Sequence, residues 1–401
     1  MSRIDSTFGS RYEPNKFINR LSKAKTLMPQ WIWQQPQWPQ FSWQPEKLAD
    51  LLRQCTSEQG RLLGRLGAVG DESSREGMLD TLLQNIITSS AIEGEALNAG
   101  SVRSSLARRL GVHEPKEAQR TSRSEGLAQL MIDATCNHAQ PLSVERLLQW
   151  HSLLFPTDDS SQLHTPVRVG EWRGDEPMQV VSGRLDRPTV HFEAPPRRGL
   201  AQQLETFVDW FNEESATLDP LLRAGIAHLW FVTLHPFDDG NGRLTRALTD
   251  LALAQGDNQA VRFYAMSASI LDNRAGYYTI LEQTQKADMD VTPWLVWFLQ
   301  TLLAAITRAI RDIDRVLAKA RFWQAHRALP LSKEQLNVIN RLLDGGARGF
   351  EEGISAAQYQ AAAKVSKATA TRHLADLFKK GLLEQLPGGG RSTRYRIALQ
   401  R

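Results

Sequence analysis

The sequence predicts a mostly α-helical protein with one β-hairpin and a small basic domain at its C-terminal end. Three observations support this prediction. From residue 45 onwards most apolar side chains recur at helical spacing, for example in the i, i+3, i+4, i+7, i+8 series of Leu79, Leu82, Leu83, Ile86 and Ile87. Residues 178–192 break this pattern with strand-forming residues on both sides of a turn. Residues 354–401 carry nine Lys or Arg against two acidic residues, a local charge of +7 in a chain whose net charge is +4.

Composition and cysteine usage exclude several classes of protein. The 401 residues suffice for two or three domains, and 41% apolar and 23% charged residues are ordinary globular values. We expect no membrane partner, because no apolar run approaches the roughly 20 residues of a membrane span. The first residues lack an apolar signal core, so export is not expected. Cys55 and Cys136 form no CxxC pair, which argues against a disulfide framework or a zinc site. A cytoplasmic protein is therefore expected.

The N-terminal part divides into a lead-in and a tryptophan-rich segment. Residues 1–30 lack periodicity and are predicted to be flexible. Residues 31–43 are dense in Trp, Gln and Pro; the prolines argue against a helix, and the tryptophans are expected to pack onto the body of the protein rather than bind a ligand. We divide the rest into an N-terminal helical region (31–125), a helical core (126–302), connecting helices (303–353) and the basic domain (354–401).

The hairpin is predicted from two short strand-like segments. The first segment, 178–182, contains Gln179, Val180, Val181 and Ser182, and the second is 189–192. Gly183, Asp186 and Pro188 lie between them and suit a turn. An exposed strand of this kind can hold the main chain of another protein, because backbone groups make the bonds.

The most informative segment is HPFDDGNGRLTR at residues 235–246. Asp219 and Pro220 suit the N-cap and first position of a helix that leads into it. Pro236 disfavours helical geometry at His235, so this helix should end there and present the imidazole at a loop. Asn241 and Gly242 then open a second helix, whose inner face should carry Leu244, Leu248 and Leu251.

This loop and helix carry the residue types of a phosphoryl-transfer site. A Gly-Asn-Gly turn at a helix N-terminus leaves backbone N–H groups free to hold phosphate oxygens. Arg243 and Arg246 lie on neighbouring parts of one helix face and can bind the same anion. Asp239 can hold a Mg²⁺ ion that bridges phosphates, and His235 can take a proton from an attacking hydroxyl.

The segment resembles the signature of the Fic family, H-x-F-x-(D/E)-G-N-G-R-x-x-R, at every defined position. The resemblance extends over about residues 31–302, including a Trp-rich opening typical of one bacterial subgroup. It implies a helical Fic core that transfers AMP from ATP to a hydroxyl of a target protein, with Mg²⁺ as cofactor. By this resemblance His235 is the general base, Asp239 binds the metal, and the ATP phosphates are held by Gly240, Asn241, Gly242, Arg243 and Arg246.

The resemblance also assigns roles outside the signature. The hairpin matches the family's flap, which holds the main chain of the target. Tyr277 and Tyr278, with Trp294 further on, resemble the adenine-side region, although core packing explains these aromatics equally well. An ornamental hairpin without a docking role is the alternative for the flap.

Ser89, Glu93 and Gly94 fit the family's inhibitory pattern, (S/T)-x-x-x-E-(G/N). Ser89 and Glu93 are four apart and share a face of the helix predicted to end near Ile92, and Gly94 can terminate it. The resemblance implies that Glu93 pairs with Arg246 and blocks productive placement of ATP. In some relatives the matching glutamate also helps to remove AMP from the target, so the sequence leaves open an enzyme that both adds and removes AMP.

The basic domain resembles a winged helix-turn-helix. A helix from Ser355 to Ala363 and a second helix capped by Ser366 precede two strands joined by a turn at residues 388–391. Such a domain binds DNA through its second helix, or docks a protein. The main hypothesis is therefore an autoinhibited protein adenylyltransferase acting on Ser, Thr or Tyr of an unknown target. The alternatives are a DNA-binding regulator with a nucleotide-sensing core and a hydrolase that removes AMP. A homodimer is one option for the oligomeric state.

Overall fold

A computed structural model describes residues 30–66, 71–113, 118–156, 167–184, 187–213, 217–257, 263–345, 350, 353–387 and 393–398. The predicted fold class is confirmed at the level of a mostly helical protein with small antiparallel sheets. The predicted lead-in, apart from its last residue, lies outside the described residues.

The described elements follow one another in this order: α1 (Pro45–Leu66), α2 (Asp71–Ile92), α3 (Ala99–Leu110), α4 (Ser122–Cys136), α5 (Val144–Leu154), β1 (Gln179–Arg184), β2 (Arg187–Glu193), α6 (Leu200–Asn212), α7 (Pro220–Leu234), α8 (Asn241–Asp257), α9 (Met266–Asp272), α10 (Arg274–Gln285), α11 (Thr292–His326), α12 (Lys333–Asp344), β3 (Ile354–Ser355), α13 (Ala356–Ala363), α14 (Lys367–Lys379), β4 (Leu383–Gln385) and β5 (Arg394–Ile397). They pack into two compact units, the first made of residues 1–62 and 70–307 and the second of residues 63–69 and 308–401.

Helices α7 and α8 form the centre of the first unit. The predicted start of α7 is confirmed, since the Asp219 side chain accepts a hydrogen bond from the N–H of Leu221 with Pro220 in the first turn. All of α7 except its first residue and Arg223 is buried, as expected for a helix that is apolar on every side. Helix α8 turns Leu244, Leu248 and Leu251 inward with 0% exposure, as predicted. The end of α7 and the start of α8 therefore meet at one short, firmly supported loop.

The tryptophan-rich segment packs onto the body, as predicted. It contains one short 3-10 turn, Ile32–Gln34. The rings of Trp31 and Phe192 meet edge to face at 5.5 Å, and those of Trp38 and Trp230 at 6.2 Å. The indole N–H of Trp33 donates to the carbonyl of Glu193 at 2.7 Å. The segment thus supports the base of the β-hairpin.

The hairpin is longer than the sequence predicts. Gly183 and Pro188 were expected in the turn, but they face each other as a pair in the antiparallel ladder. This is a correction: Pro188 is compatible with a strand because the two-stranded sheet has free edges, where a missing N–H costs no ladder bond. The predicted turn residue Asp186 lies outside the described residues.

The second unit combines α12, α13, α14 and residues 308–326 of α11 with a three-stranded antiparallel sheet of order β3-β5-β4. Its core unites α12, α13, α14 and the sheet through buried side chains such as Ile339, Tyr359 and Leu374. Ser366 caps α14 as predicted, and Ser355, predicted as the first residue of its helix, is the N-cap of α13. Strand β3 was not predicted, because two residues carry too little pattern to be recognised. Helix α12, assigned from sequence to a connecting segment, is an integral part of this core.

Helix α11 is long and apolar enough to cross a membrane by length and composition, so the expectation that no such stretch exists is wrong on that count. Half of its most apolar 18-residue window is buried inside the protein. Trp294, Phe298 and Leu302 of this helix have 0% exposure, and the Trp294 indole donates to the carbonyl of Gly225 at 2.8 Å. The apolar character of α11 therefore serves, at least in part, the core of the first unit.

Candidate active site

His235 lies at the corner between α7 and α8. It caps the end of α7 in the left-handed conformation, with φ +48°, which is uncommon for a residue other than glycine. Its Nδ1 lies 3.1 Å from the carbonyl oxygen of Val232 and must donate a proton to it, so Nε2 is the acceptor in the neutral ring. Burial lowers the pKa of His235 to about 4, which keeps the imidazole neutral at pH 7.

Three further side chains hold this corner in place. The buried Arg173 donates from Nε to the carbonyl of His235 at 2.9 Å. Asn241 closes the loop by accepting from the N–H of Phe237 at 3.0 Å and donating to its carbonyl at 2.8 Å. His151 stacks on the Phe237 ring at 4.1 Å. Arg173 and His151 were not found from the sequence, since neither belongs to a local motif.

The tautomer of His151 is fixed by its contacts. Its Nδ1 accepts from the N–H of Gly170 at 3.0 Å, so its Nε2–H donates to the carbonyl of Asp239 at 3.2 Å. Burial lowers the pKa of His151 to about 4, so this arrangement persists at neutral pH. The hydrogen bond from His151 therefore holds the backbone at Asp239 in place.

The start of α8 offers the predicted anion site. Gly240 has φ +83°, and a Cβ there would meet Leu154 and Phe155 at 3.0 Å, so only glycine fits comfortably. A Cβ on Gly242 would overlap the carboxylate of Glu93. The Glu93 carboxylate thus occupies the first turn of α8, the position in which the positive helix end favours an anion.

Arg246 is bound by the segment predicted to be inhibitory. Its Nη2 lies 2.8 Å from Glu93 Oε1, and it donates from Nε to the hydroxyl and from Nη2 to the carbonyl of Ser89, both at 2.8 Å. Its guanidinium is 3% exposed, and its Nη1 has no hydrogen-bond partner among the described residues. Burial raises the pKa of Glu93, but the charge and hydrogen bond of Arg246 outweigh it and hold the pKa below its ordinary value. Gly94, with φ +82°, ends this segment after α2.

Arg243 is engaged by a second acidic residue, Glu95. Its Nη1 lies 2.7 Å from Glu95 Oε2, and Arg123 holds the other oxygen of the same carboxylate at 2.6 Å. The guanidinium groups of Arg243 and Arg123 also lie over the Phe155 ring, at 5.1 and 5.4 Å. Both signature arginines are therefore paired with acids from residues 93–95. No local motif points to Glu95, because its partners are far away along the chain.

The two tyrosines differ in position. Tyr277 is 1% exposed, and its hydroxyl bonds to His228 Nε2 at 2.9 Å, which fits the core interpretation rather than an adenine contact. Trp294 is likewise buried. The hydroxyl of Tyr278 donates to Glu93 Oε2 and to the carbonyl of Ile92, both at 3.4 Å. Tyr278 thus touches the inhibitory segment, a contact that the sequence did not suggest.

Asp239 lies beside the anion site with a side chain that is 42% exposed. Its Oδ1 faces Nη2 of Arg243 at 3.5 Å. Among the described residues no cluster of three or more His, Cys, Asp or Glu could hold a metal by itself. One accessible carboxylate next to a phosphate site nevertheless fits Mg²⁺, which is commonly bound by one or two carboxylates together with substrate phosphates.

Comparisons with known proteins agree with this geometry. Residues 141–253 match the Fic/DOC family, and residues 31–112 match a domain of unknown function. The protein adenylyltransferase fic-1 of Caenorhabditis elegans is 28% identical over 241 residues, which are 59% of this chain and 42% of that protein. The protein adenylyltransferase Fic of Drosophila willistoni is 28% identical over 230 residues, 56% of this chain and 41% of that protein. The chain thus spans about two fifths of the length of these relatives.

The fold also has a counterpart among solved structures. A Fic family protein from Desulfovibrio desulfuricans superposes with a TM-score of 0.52 at 20% identity, covering 90% of this chain and 99% of that one. At this identity the likeness establishes the fold alone.

Proposed function

Because the chain contains a Fic/DOC family domain, we propose that it is a protein adenylyltransferase, which transfers AMP from ATP to a Ser, Thr or Tyr hydroxyl of a target protein. The observation that carries this proposal is the convergence at the start of α8. A neutral histidine whose Nε2 can accept a proton, two buried arginines and the N-terminus of α8 meet around one anion position. This combination suits attack of a hydroxyl on a phosphate group.

Each residue has a defined part in the proposed reaction. Nε2 of His235 takes the proton of the attacking hydroxyl, and pyrophosphate leaves from the α-phosphorus. Gly240, Asn241 and Gly242 shape the phosphate site, with Arg243 and Arg246 on the β and γ phosphates. Mg²⁺, held by Asp239 and the phosphates, would neutralise the charge that develops on the leaving pyrophosphate. The β1 residues Gln179, Val180, Val181 and Ser182, which are partly exposed, would hold the target's main chain.

Glu93 is proposed to keep the enzyme inactive. Its carboxylate lies in the anion position at the start of α8 and pairs with the guanidinium of Arg246, which the γ-phosphate needs. ATP can still bind through its base and sugar, but its phosphates are then misplaced. Ser89 supports this state, because its hydroxyl and its carbonyl accept hydrogen bonds from Nε and Nη2 of Arg246.

The proposed activity is tested by incubating the protein with Mg²⁺, a bacterial cytosolic extract and ATP labelled at the α-phosphate. We expect labelled protein bands with Glu93→Gly and few with wild type. ATP labelled at the γ-phosphate is the matched control, and it should give no bands if AMP rather than phosphate is transferred. His235→Ala in the Glu93→Gly background should lower labelling by at least about 10²-fold. Labelling that is unaffected by loss of His235 would refute the assignment.

We further propose that the second unit contains a winged helix-turn-helix that binds DNA. The helix pair α13 and α14 followed by the β4–β5 hairpin supports this proposal. Helix α14 begins at the Ser366 cap and exposes Lys367, Thr371 and Arg372, which suit a recognition helix. Docking of a protein partner is the competing outcome.

DNA binding is tested with duplex DNA at several salt concentrations. The double variant Lys367→Ala with Arg372→Ala should weaken binding and reduce the salt slope by about two, one for each lost phosphate contact. Lys47→Ala, which removes an exposed lysine on α1, is the control and should change neither. No binding by wild type at low salt would leave only the protein-docking interpretation.

A further inference from the structure

The flap contains a β-bulge centred on His191. Val180 pairs with Phe192 and Val181 pairs with Val190, so His191 is the extra residue of β2. A bulge re-aims a side chain and is over-represented near active sites. At this bulge the side chain of His191 contacts two polar groups.

These polar groups are Ser182 on β1 and Glu282 on α10. Nε2 of His191 lies 2.6 Å from the Ser182 hydroxyl, and Nδ1 lies 2.7 Å from Glu282 Oε2. A carboxylate can only accept, so Nδ1 carries a proton, and in the neutral ring Nε2 accepts from Ser182. The chain of bonds therefore runs from β1 through β2 to α10. It fixes the hairpin to a helix of the core by means of three side chains.

Helix α10 also touches the inhibitory segment. Tyr278 and Glu282 are four residues apart and share a face of the helix. The Tyr278 hydroxyl reaches Glu93 at 3.4 Å, while Glu282 holds the flap. The attachment of the flap and the contact with Glu93 therefore lie on successive turns of one rigid element.

We propose that His191 and Glu282 are positioning residues, which fix the flap on α10 so that a target hydroxyl is held at the correct distance from ATP. This inference rests on the proposed adenylyltransferase function and adds the means by which the flap is aligned. Without this lock, by which we mean the bonds that join Ser182, His191 and Glu282, the hairpin would still be held by the apolar cluster of Trp31, Met178 and Phe192 and by the bond of Trp33 to Glu193. None of these contacts attaches it to α10. Misplacement of reacting groups by about 1 Å can lower a rate by around 10²-fold, so the attachment should matter for transfer to a docked protein.

The experiment uses the full chain in the Glu93→Gly background, where the proposed brake is removed. His191→Ala and Glu282→Ala each break the lock. Lys286→Ala is the matched control, because it removes the other partner of Glu282, bonded at 2.5 Å, and leaves His191 in place. Glu282→Gln keeps an oxygen that can accept from His191 and should behave most like the parent protein.

Two measurements are made on these variants. Hydrogen exchange of the amides of β1 and β2, compared with those of buried α7, should accelerate by about tenfold or more in the two lock variants, as expected for loss of a charge-assisted hydrogen bond. AMP transfer to proteins of a bacterial cytosolic extract should fall by about tenfold, while affinity for a non-hydrolysable ATP analogue changes less than about twofold. Both effects should be small in Lys286→Ala and Glu282→Gln.

The outcomes separate this inference from the function on which it rests. Unchanged flap exchange in His191→Ala and Glu282→Ala would overturn the lock. Faster exchange without loss of AMP transfer would overturn its positioning role. If the Glu93→Gly parent itself transfers no AMP, the proposed function fails and the positioning role fails with it.

Discussion

Replacing Glu93 by glycine should activate the protein, and the structure gives the size of the effect. The γ-phosphate must displace the Glu93 carboxylate from Arg246. The carboxylate lies 2.8 Å from Nη2 of this arginine, whose side chain is 3% exposed. A hydrogen bond between charged groups contributes about 1.5–3 kcal/mol, which corresponds to a factor of about 10 to 150. We use the lower half of this range, since the Glu93 side chain is 30% exposed and solvent screens the pair.

The assay is the initial rate of AMP incorporation from ATP labelled at the α-phosphate, measured over a range of ATP concentrations. We expect an increase of about 10- to 40-fold in the maximal rate, with a smaller change in ATP affinity. The double variant Glu93→Gly with Arg246→Ala should stay slow, because it lacks the partner of the γ-phosphate. Ser89→Ala should activate only weakly, since the Ser89 carbonyl still holds Arg246. Equal rates for wild type and Glu93→Gly at saturating ATP would refute this account of the brake.

Three further predictions follow from the same site. Burial lowers the pKa of His235 to about 4, so protonation of this base should not affect the rate of AMP transfer by Glu93→Gly between pH 8 and pH 6. The rate should fall only as the pH drops toward 4. A fall in rate near pH 6.5, the ordinary pKa of histidine, would contradict this prediction. Glu95→Gln should lower AMP transfer in the same background by about tenfold, since Arg243 loses its charged anchor, whereas an increase would identify Glu95 as a second brake. Tyr278→Phe in the wild-type background should raise transfer only severalfold, because a 3.4 Å contact with Glu93 is weak; no change in a labelling assay would show that this hydroxyl does not support the brake.

Local signals in the sequence predicted the frame of the site well. Asp219, Pro220 and Pro236 determine where α7 begins and ends, because capping and ring sterics act within a few residues. The same holds for the start of α8 and for the end of α2 before Glu93. These features could be predicted because their causes are adjacent in the chain.

The supporting contacts could not be predicted for the opposite reason. Glu95 meets Arg243 across 148 positions, and His191 meets Glu282 across 91. No periodicity or motif encodes such a pair, since each depends on how whole elements pack. The strands of the hairpin are longer than predicted. Gly183 and Pro188 favour turns by local propensity, but strand pairing places them opposite each other in the hairpin.

The shared position of the Glu93 carboxylate and an incoming phosphate has a thermodynamic consequence. Suppose that the pairing of residues 93–95 with the arginines and the binding of the ATP phosphates exclude each other. Linkage then requires that ATP shifts the segment toward its unpaired, open state by the same factor by which the pairing lowers the affinity for ATP. ATP should therefore raise the melting temperature of Glu93→Gly more than that of wild type, where part of the binding free energy is spent on opening. Through this reciprocity the fraction of enzyme in the open state would rise with the concentration of free ATP.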